Sequence, residues 1–276
     1  MHQILSPYAN LRALNLILHM LTQYRELLWE LTRRDILDRQ AGLAFGAFWV
    51  IGQPLLMMLV YVYVFSFVFA MRLGVGDNGF GYVAFLLAGL VPWLAIQEAV
   101  GRASTCIIEN KSFVKQLVFP VEVLPLKLVL STLLVLGVGL LFPMVLTVLN
   151  GTAKPLSWLL LPLPVLSYVL LTVGLCYAIS AAGVFLRDIR NIIQLLLSIG
   201  LFAHPVLYVP GMLSPWAERA FALSPFAHVI WVFRDVVLGE MSHPASWLIA
   251  PAAGLLSLPI GYRLFRSVRH MFGEVL

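Results

Sequence analysis

Few side chains in this sequence have the type and spacing to do chemistry, and the most pointed of them lie between Glu109 and Pro125, in ENKSFVKQLVFPVEVLP. Lys111 and Lys115 are four residues apart, so on a helix they share one face. Phe113, Leu117 and Val118 form an apolar stripe on another side. Pro120 stops such a helix, because it lacks an N–H and its ring clashes with the preceding turn. The spacing predicts a one-to-two-turn amphipathic helix inside a loop between two membrane spans, a place where a soluble motor can push. An ordinary basic loop lying on lipid headgroups is the alternative.

The remaining polar candidates are sparse. Glu98 closes an apolar run and Arg102 follows four residues on, so a structural ion pair is preferred to a functional intramembrane carboxylate. His204 and His228 lack metal-ligand spacing and read as hydrogen-bonded interface residues. Cys106 and Cys176 have neither metal nor redox spacing, and a disulfide between them is not expected. There is no G-x-x-x-x-G-K-[ST], so the chain cannot bind ATP through a phosphate loop. There is no H-E-x-x-H, no C-x-x-C and no serine-nucleophile elbow. No Asp or Glu falls inside a predicted span, which leaves ion-coupled transport without its usual carboxylates. The expectation is therefore no catalytic residue, no metal and no cofactor in this chain, with energy supplied by a partner ATPase that holds ATP and Mg. Asp77 is the only outer acid before residue 204, which weighs against a membrane glycosyltransferase.

The elements that must position these groups follow from composition. Of 276 residues, 61% are hydrophobic and 11% charged, and mean hydropathy is +0.94. A soluble domain carries about 25% charged residues. Uncharged runs of 32, 20, 26, 32, 27 and 22 residues separate Arg39–Arg72, Asp77–Glu98, Lys127–Lys154, Lys154–Arg187, Arg190–Glu218 and Glu240–Arg263. Each meets the roughly 20 apolar residues needed to cross a ~30 Å hydrocarbon core, so six spans are predicted. Ala220–Phe233, at 14 residues, is too short to cross and reads as re-entrant or interfacial. With the N-terminus inside, inner segments carry 14 Lys and Arg and outer segments 4, namely Arg72, Lys154, Arg219 and Arg234. That bias sets the orientation, with both termini cytoplasmic. It also accounts for the net charge of +5 without nucleic acid. No cleaved signal peptide is read at the N-terminus. The predicted fold is all-α, one integral membrane domain over 1–276, with an amphipathic cytoplasmic segment over 1–40 and a six-span bundle over 41–270.

Three stretches refine this plan. In 21–38, Leu21, Tyr24, Leu28 and Leu31 share one helical face, Trp29 broadens it, and Glu30–Arg34 is a favourable i,i+4 pair. This predicts a helix in the cytoplasmic interface; a soluble helix packed on the motor is the alternative. In the first span, near 42–69, Tyr61, Phe65 and Phe69 fall on one face and Tyr63 and Phe67 on another. Such rings can stack on sugars in a conduit, or form an interfacial belt or packing. From His204 onward, Pro205, Tyr208, Pro210, Pro215, Trp216 and Pro225 predict an outer cap of short, proline-interrupted helices. Irregular backbone at membrane depth lines a cavity or is buried in protein, so this segment is an external gate or a plug that packs the bundle. Asn150-Gly151 marks a tight outer turn, and Pro162 and Pro164 bend the fourth span near its outer end.

Taken in order, several short motifs add up. Arg34-Asp35 is followed by Arg39, then Gly46, Trp49 and Gln53-Pro54. Leu87-Ala88-Gly89-Leu90-Val91-Pro92-Trp93 comes next, then Asn110, Phe119-Pro120, Leu124-Pro125, Arg187-Asp188, and Pro205-Val206 with Tyr208. On these, from about Leu28 onward, the chain resembles the membrane subunit of type-2 ABC exporters, in the branch that exports O-antigen, capsule or teichoic-acid polysaccharides. Ser224-Pro225 stands where many relatives have Asn-Pro. The resemblance implies a homodimer of six-span subunits in the cell (inner) membrane, joined to two separate ABC ATPase subunits. It implies that Glu109, Asn110, Lys111, Phe113, Lys115 and Gln116 dock on the ATPase. It implies a conduit lined by Tyr61, Tyr63, Phe65 and Phe69, closed outside by His204, Pro205, Tyr208, Pro210 and Pro225. The cargo would be a polysaccharide on undecaprenyl pyrophosphate or a similar lipid, with Arg34 and Arg39 meeting the pyrophosphate through charge-assisted hydrogen bonds. A drug exporter on the same fold and a solitary flippase or glycosyltransferase are the rival readings.

Overall fold

Helix α4 (Phe80–Ala103) is buried along most of its length, and the other long helices are arranged around it. A computed structural model describes residues 7–38, 48–68, 80–114, 119–186, 188–209 and 214–275. Expectations placed on Arg39, Phe69, Lys115, Gln116 and Pro210 lie outside the described residues. All regular structure among the described residues is helical, as the all-α reading requires.

The chain begins with α1 (Pro7–Gln23) and α2 (Arg25–Asp38), then α3 (Phe48–Tyr63), which runs into a five-residue π-helical turn at Val64–Val68. After α4 come two single-turn helices, α5 (Cys106–Glu109) and α6 (Lys111–Val114), then α7 (Val123–Leu149). Next are α8 (Pro155–Trp158), α9 (Pro162–Phe185), α10 (Ile189–Ala203), α11 (Pro215–Phe221) and α12 (Pro225–Leu238). The chain closes with α13 (Ser246–Val268), a 3-10 turn at Arg269–Met271 and α14 (Phe272–Val275).

Four segments are long and apolar enough to cross a membrane: α4 with 24 residues, α7 with 27, Pro155–Phe185 with 31 and Ser246–Val275 with 30. The pair α11–α12, bent by 99°, makes a fifth if it counts as one broken span. Six spans, as predicted, are not reached among the described residues. Uncharged runs count loop residues as well as helix, which explains the gap. The fifth run becomes a helix of only 15 residues, α10. At ~1.5 Å per residue that is roughly 22 Å, short of a ~30 Å core. Beyond α10 the chain turns at His204-Pro205 and re-forms as α11.

The N-terminal segment also differs from expectation. It contains two helices rather than one, broken at Tyr24. Helix α1 lies against α13, where Arg263 donates to Asn10 Oδ1 at 2.9 Å, and α2 lies against α7. The predicted face is the packed one, with Leu28 and Leu31 buried and Leu21 and Tyr24 half-buried. Trp29 is 70% exposed and does not extend it. One residue past Leu28 is a rotation of about 100°, outside the buried arc.

Small residues allow the closest helix contact. A Cβ on Gly261 would sit 1.9 Å from the Gly174 carbonyl oxygen, so α9 and α13 meet backbone to backbone. Asn150-Gly151 forms the predicted turn, with Gly151 at φ 72°. The bend in the fourth span falls at 159–161, and Pro162 opens the first turn of α9, where its missing N–H costs nothing.

Candidate functional site

The sequence pointed to both ends of the helical body. One end gathers α2, α5, α6 and the turns that start α7 and end α13. The other gathers α8, α11, α12 and the start of α13.

At the first end, Arg102 grips Asp35 with both arms of its guanidinium, at 2.9 and 2.6 Å. Glu98, the predicted partner, is 4.0 Å away. The predicted i,i+4 pair is present, and Asp35 is an additional and closer partner, because the planar fork matches the two oxygens of one carboxylate. The Asp35 side chain is only 7% exposed, so this pair ties the amphipathic N-terminal helix to the C-terminal end of α4. Helix α4 then breaks at Ser104-Thr105 and continues as α5 and α6, joined at Asn110. Asn110 Nδ2 donates to the Cys106 carbonyl at 2.7 Å, and Lys127 Nζ donates to Asn110 Oδ1 at 3.3 Å. The amphipathic helix predicted here is thus two separate turns about an anchored asparagine. Glu109 and Lys111 are exposed, while Phe113 is half-buried and stacks on Phe119 at 5.2 Å. Cys106 is buried and unbonded to another cysteine, and burial pushes its thiol up to about 12. Glu122 accepts from Arg269, and its backbone oxygen accepts from Tyr177 at 2.9 Å. Of the proposed pyrophosphate contacts, Arg34 is exposed on α2.

The aromatics of the first span divide rather than converge. Tyr61 and Phe65 are half-buried, and Phe65 meets Tyr82 of α4 at 6.1 Å. Tyr63 and Phe67 are 61% and 66% exposed and face each other at 6.1 Å. Tyr61 and Phe65 thus share one face and Tyr63 and Phe67 another, as the helical spacing predicts.

At the second end, Trp93 is the centre of an aromatic knot, with His204 at 4.8 Å and Phe226 edge-on at 5.9 Å. A Cβ on Gly200 would lie 2.6 Å from the Trp93 ring, so glycine is needed there. Both nitrogens of His204 are engaged: Nδ1 donates to the Gly200 carbonyl at 2.7 Å and Nε2 accepts from Ser224 Oγ at 2.9 Å. Ser224, the departure from Asn-Pro, thereby ties the start of α12 to the end of α10. His228 is likewise saturated, by Ala222 O and Ser246 Oγ at 2.9 Å each. Both histidines are hydrogen-bonded through both ring nitrogens. Pro205 is buried, Tyr208 stacks on Phe221 at 5.9 Å, and Pro225 sits in the first turn of α12.

The residue that sequence reasoning missed is Arg234. Counted as an outer-loop charge, it is only 4% exposed on α12. Its Nε donates to Phe85 O at 3.2 Å, its Nη2 to Val206 O at 2.5 Å, and its guanidinium carbon lies 3.9 Å over the Phe85 ring. A Cβ on Gly89 would come within 2.7 Å of Nη2, which explains the glycine in the Gly89…Trp93 motif. Next to it, Asp235 is also buried and accepts from Trp247 Nε1 at 2.9 Å and from the backbone of Ser242 and His243. Asp235 lies outside the six spans predicted from the sequence, just past the short run read as re-entrant, so the expectation that those spans hold no Asp or Glu is not touched by it. The readable signal was the pair itself: Arg-Asp in an otherwise apolar 14-residue helix. Between α11, α12, the 204–209 segment and the start of α13 opens a cavity of about 880 Å3. A smaller one of about 300 Å3 lies between α3, α4 and α7, with Gln53 and Glu98 in its walls.

With this geometry in place, similarity to known proteins becomes informative. The family profile described as ABC-2 type transporter matches residues 26–238. The O-antigen export system permease protein RfbA of Myxococcus xanthus is 30% identical over 257 residues, covering 92% of this chain and 96% of that protein. A permease of the same name from Klebsiella pneumoniae is 25% identical over 256 residues, covering 91% and 95%.

Proposed function

The chain belongs to the ABC-2 type transporter family, and from this premise we propose that it is the membrane subunit of an ATP-driven exporter of a lipid-linked polysaccharide. The observation that carries this reading is near full-length similarity to O-antigen export permeases from two organisms. On this reading two copies of the chain form a homodimer in the cytoplasmic membrane, with both termini inside. The short helices α3 and α10 complete a six-span subunit, and two ABC ATPase subunits bind the end that carries α5 and α6. The chain itself performs no hydrolysis; ATP and Mg are held by the partner.

The geometry supports a mechanical route. A push on the exposed Glu109–Lys111 turn acts on α4 through the Asn110 joint, because Asn110 is bonded to both Cys106 and Lys127. Helix α4 also carries Trp93, Gly89 and Phe85, the seats for His204 and Arg234 at the far end. Movement of one rigid helix therefore loads both ends at once. Arg34, exposed on α2, remains the described candidate for the carrier pyrophosphate.

Co-expression with the neighbouring ATPase tests the proposal. The expected result is a stable complex whose ATP hydrolysis responds to lipid-linked glycan, together with loss of surface polysaccharide in cells lacking the chain. A subunit that purifies alone, or a deletion strain with normal surface polysaccharide, overturns it. Arg34→Gln with normal export removes the pyrophosphate contact.

A further inference from the structure

The 880 Å3 cavity at the second end is not needed for the push just described, and its walls are unusual for a lipid-facing crevice. Its volume lies within the roughly 300–1,000 Å3 of small-molecule sites. Two aromatic stacks line it. Trp231 and His243 lie parallel, 4.4 Å apart and 2° from coplanar; Tyr208 and Phe221 form the other. The same walls carry charges of both signs: Arg219 and Arg234, with Glu218, Asp235 and Glu240.

This mixture discriminates among ligands. Three carboxylates disfavour an anion, and two guanidinium groups disfavour a cation. A hydrocarbon chain would desolvate the exposed Glu218, Arg219 and Glu240 without offering them a hydrogen bond. A neutral polyhydroxylated ring fits all three features. Its C–H faces suit the electron-rich faces of aromatic rings, and each hydroxyl both donates and accepts. Arg234 is the strongest polar group facing the site. Two of its nitrogens are held by Phe85 O and Val206 O, and Nη1 has no hydrogen bond to the described residues. Burial lowers the His243 imidazole below its ordinary range. The neutral ring offers one donor and one acceptor.

We propose that this cavity is a saccharide-binding site within a single subunit, formed by Trp231, His243 and Arg234 and open toward the end opposite the termini. The proposal rests on the export reading, and deepens it by giving the glycan a holding point after it passes the bundle. Binding is tested with the full chain and its ATPase in nanodiscs. The probe is the polysaccharide of the strain that carries the chain, freed from its lipid by mild acid. The expected result is saturation transfer from protein to sugar ring protons and a calorimetric Kd weakened tenfold or more by Trp231→Leu and by His243→Ala. Arg219→Gln and Glu240→Gln, both on exposed positions that leave the packing intact, should each weaken it about threefold. Leu248→Ala, 77% exposed on α13 and outside the cavity, should leave it unchanged. No saturation transfer, or an affinity indifferent to all four cavity substitutions, overturns the site. So does binding of inorganic pyrophosphate with the same sensitivity in place of the polysaccharide. If cells lacking the chain lose surface polysaccharide while Trp231→Leu binds normally, only the cavity assignment fails. If such cells keep their polysaccharide, the export reading fails with it.

Discussion

The two ends of this molecule handle charge in opposite ways. At the end that gathers α2, α5, α6 and the turns flanking α7 and α13, charge is met by charge: Arg102 with Asp35, and Arg269 with Glu122. At the far end, Arg234 has no carboxylate partner among the described residues and is held by two backbone carbonyls and an aromatic face. Side-chain pairs can exchange partners when helices shift, because their arginines stay near water while the carboxylates are buried. Arg102 is 33% exposed and Glu98 waits 4.0 Å away as a second partner. A guanidinium bonded to main chain has no such alternative, so it fixes α12 to α4 and to the 204–209 turn. The contrast is between an end whose ion pairs can exchange partners and an end fixed to main chain.

The largest break in this comparison is expected from Arg234→Leu. It orphans the Val206 carbonyl, at about 1–3 kcal/mol, and removes the second hydrogen bond of the Phe85 carbonyl, which keeps its helix partner in α4. Relief of a buried charge offsets part of that. A net loss of about 2 kcal/mol lowers Tm by roughly 4–8 °C, read by fluorescence-detected size-exclusion after heating. An unchanged Tm would mean that the far end is no more rigid than the near one. Phe113→Asp comes next. It leaves membrane insertion intact and lowers export several-fold at a given rate of ATP hydrolysis, measured in proteoliposomes. Normal export per ATP would remove α6 from the route of force. Third, a double-mutant cycle of Asp35→Asn and Arg102→Gln should give a coupling of about 1–2 kcal/mol that shrinks in high salt. Coupling that is insensitive to salt would make the near end as rigid as the far one.

A smaller effect concerns pH. Burial depresses the His243 pKa in the folded chain, so the unfolded chain takes up the proton first as pH falls. The contribution of the neutral ring is therefore complete above about pH 6.5 and declines as pH falls toward the lowered folded value. His243→Gln should flatten that decline in a Tm-against-pH series; an unaltered slope would exclude this ring as its source. The smallest effect is at Cys106, where the raised thiol pKa and burial predict no maleimide labelling at pH 7.5 in the native state. Rapid labelling would show that the α4–α5 junction opens.

Much of this was legible in one dimension, and much was not. Composition and uncharged runs are properties of a sum, so a membrane bundle, the all-helical class and the positions of α4, α7, α9 and α13 could be read directly from spacing. The face of α2 was legible for the same reason, since Leu21, Tyr24, Leu28 and Leu31 recur with helical period. Proline positions located the irregular stretch after His204. Partner choice was beyond that reach. Glu98 was the nearest carboxylate to Arg102 along the chain, yet Asp35, 67 residues away, holds it. Arg234 counted as a loop charge because nothing local reveals that Gly89 leaves room for it. The length of α10 depended on where the backbone turned. Local pattern determines which residues form helices and which face is apolar. Only tertiary packing decides which buried donor meets which acceptor, because each donor can satisfy itself in several ways and the choice depends on every neighbouring helix at once.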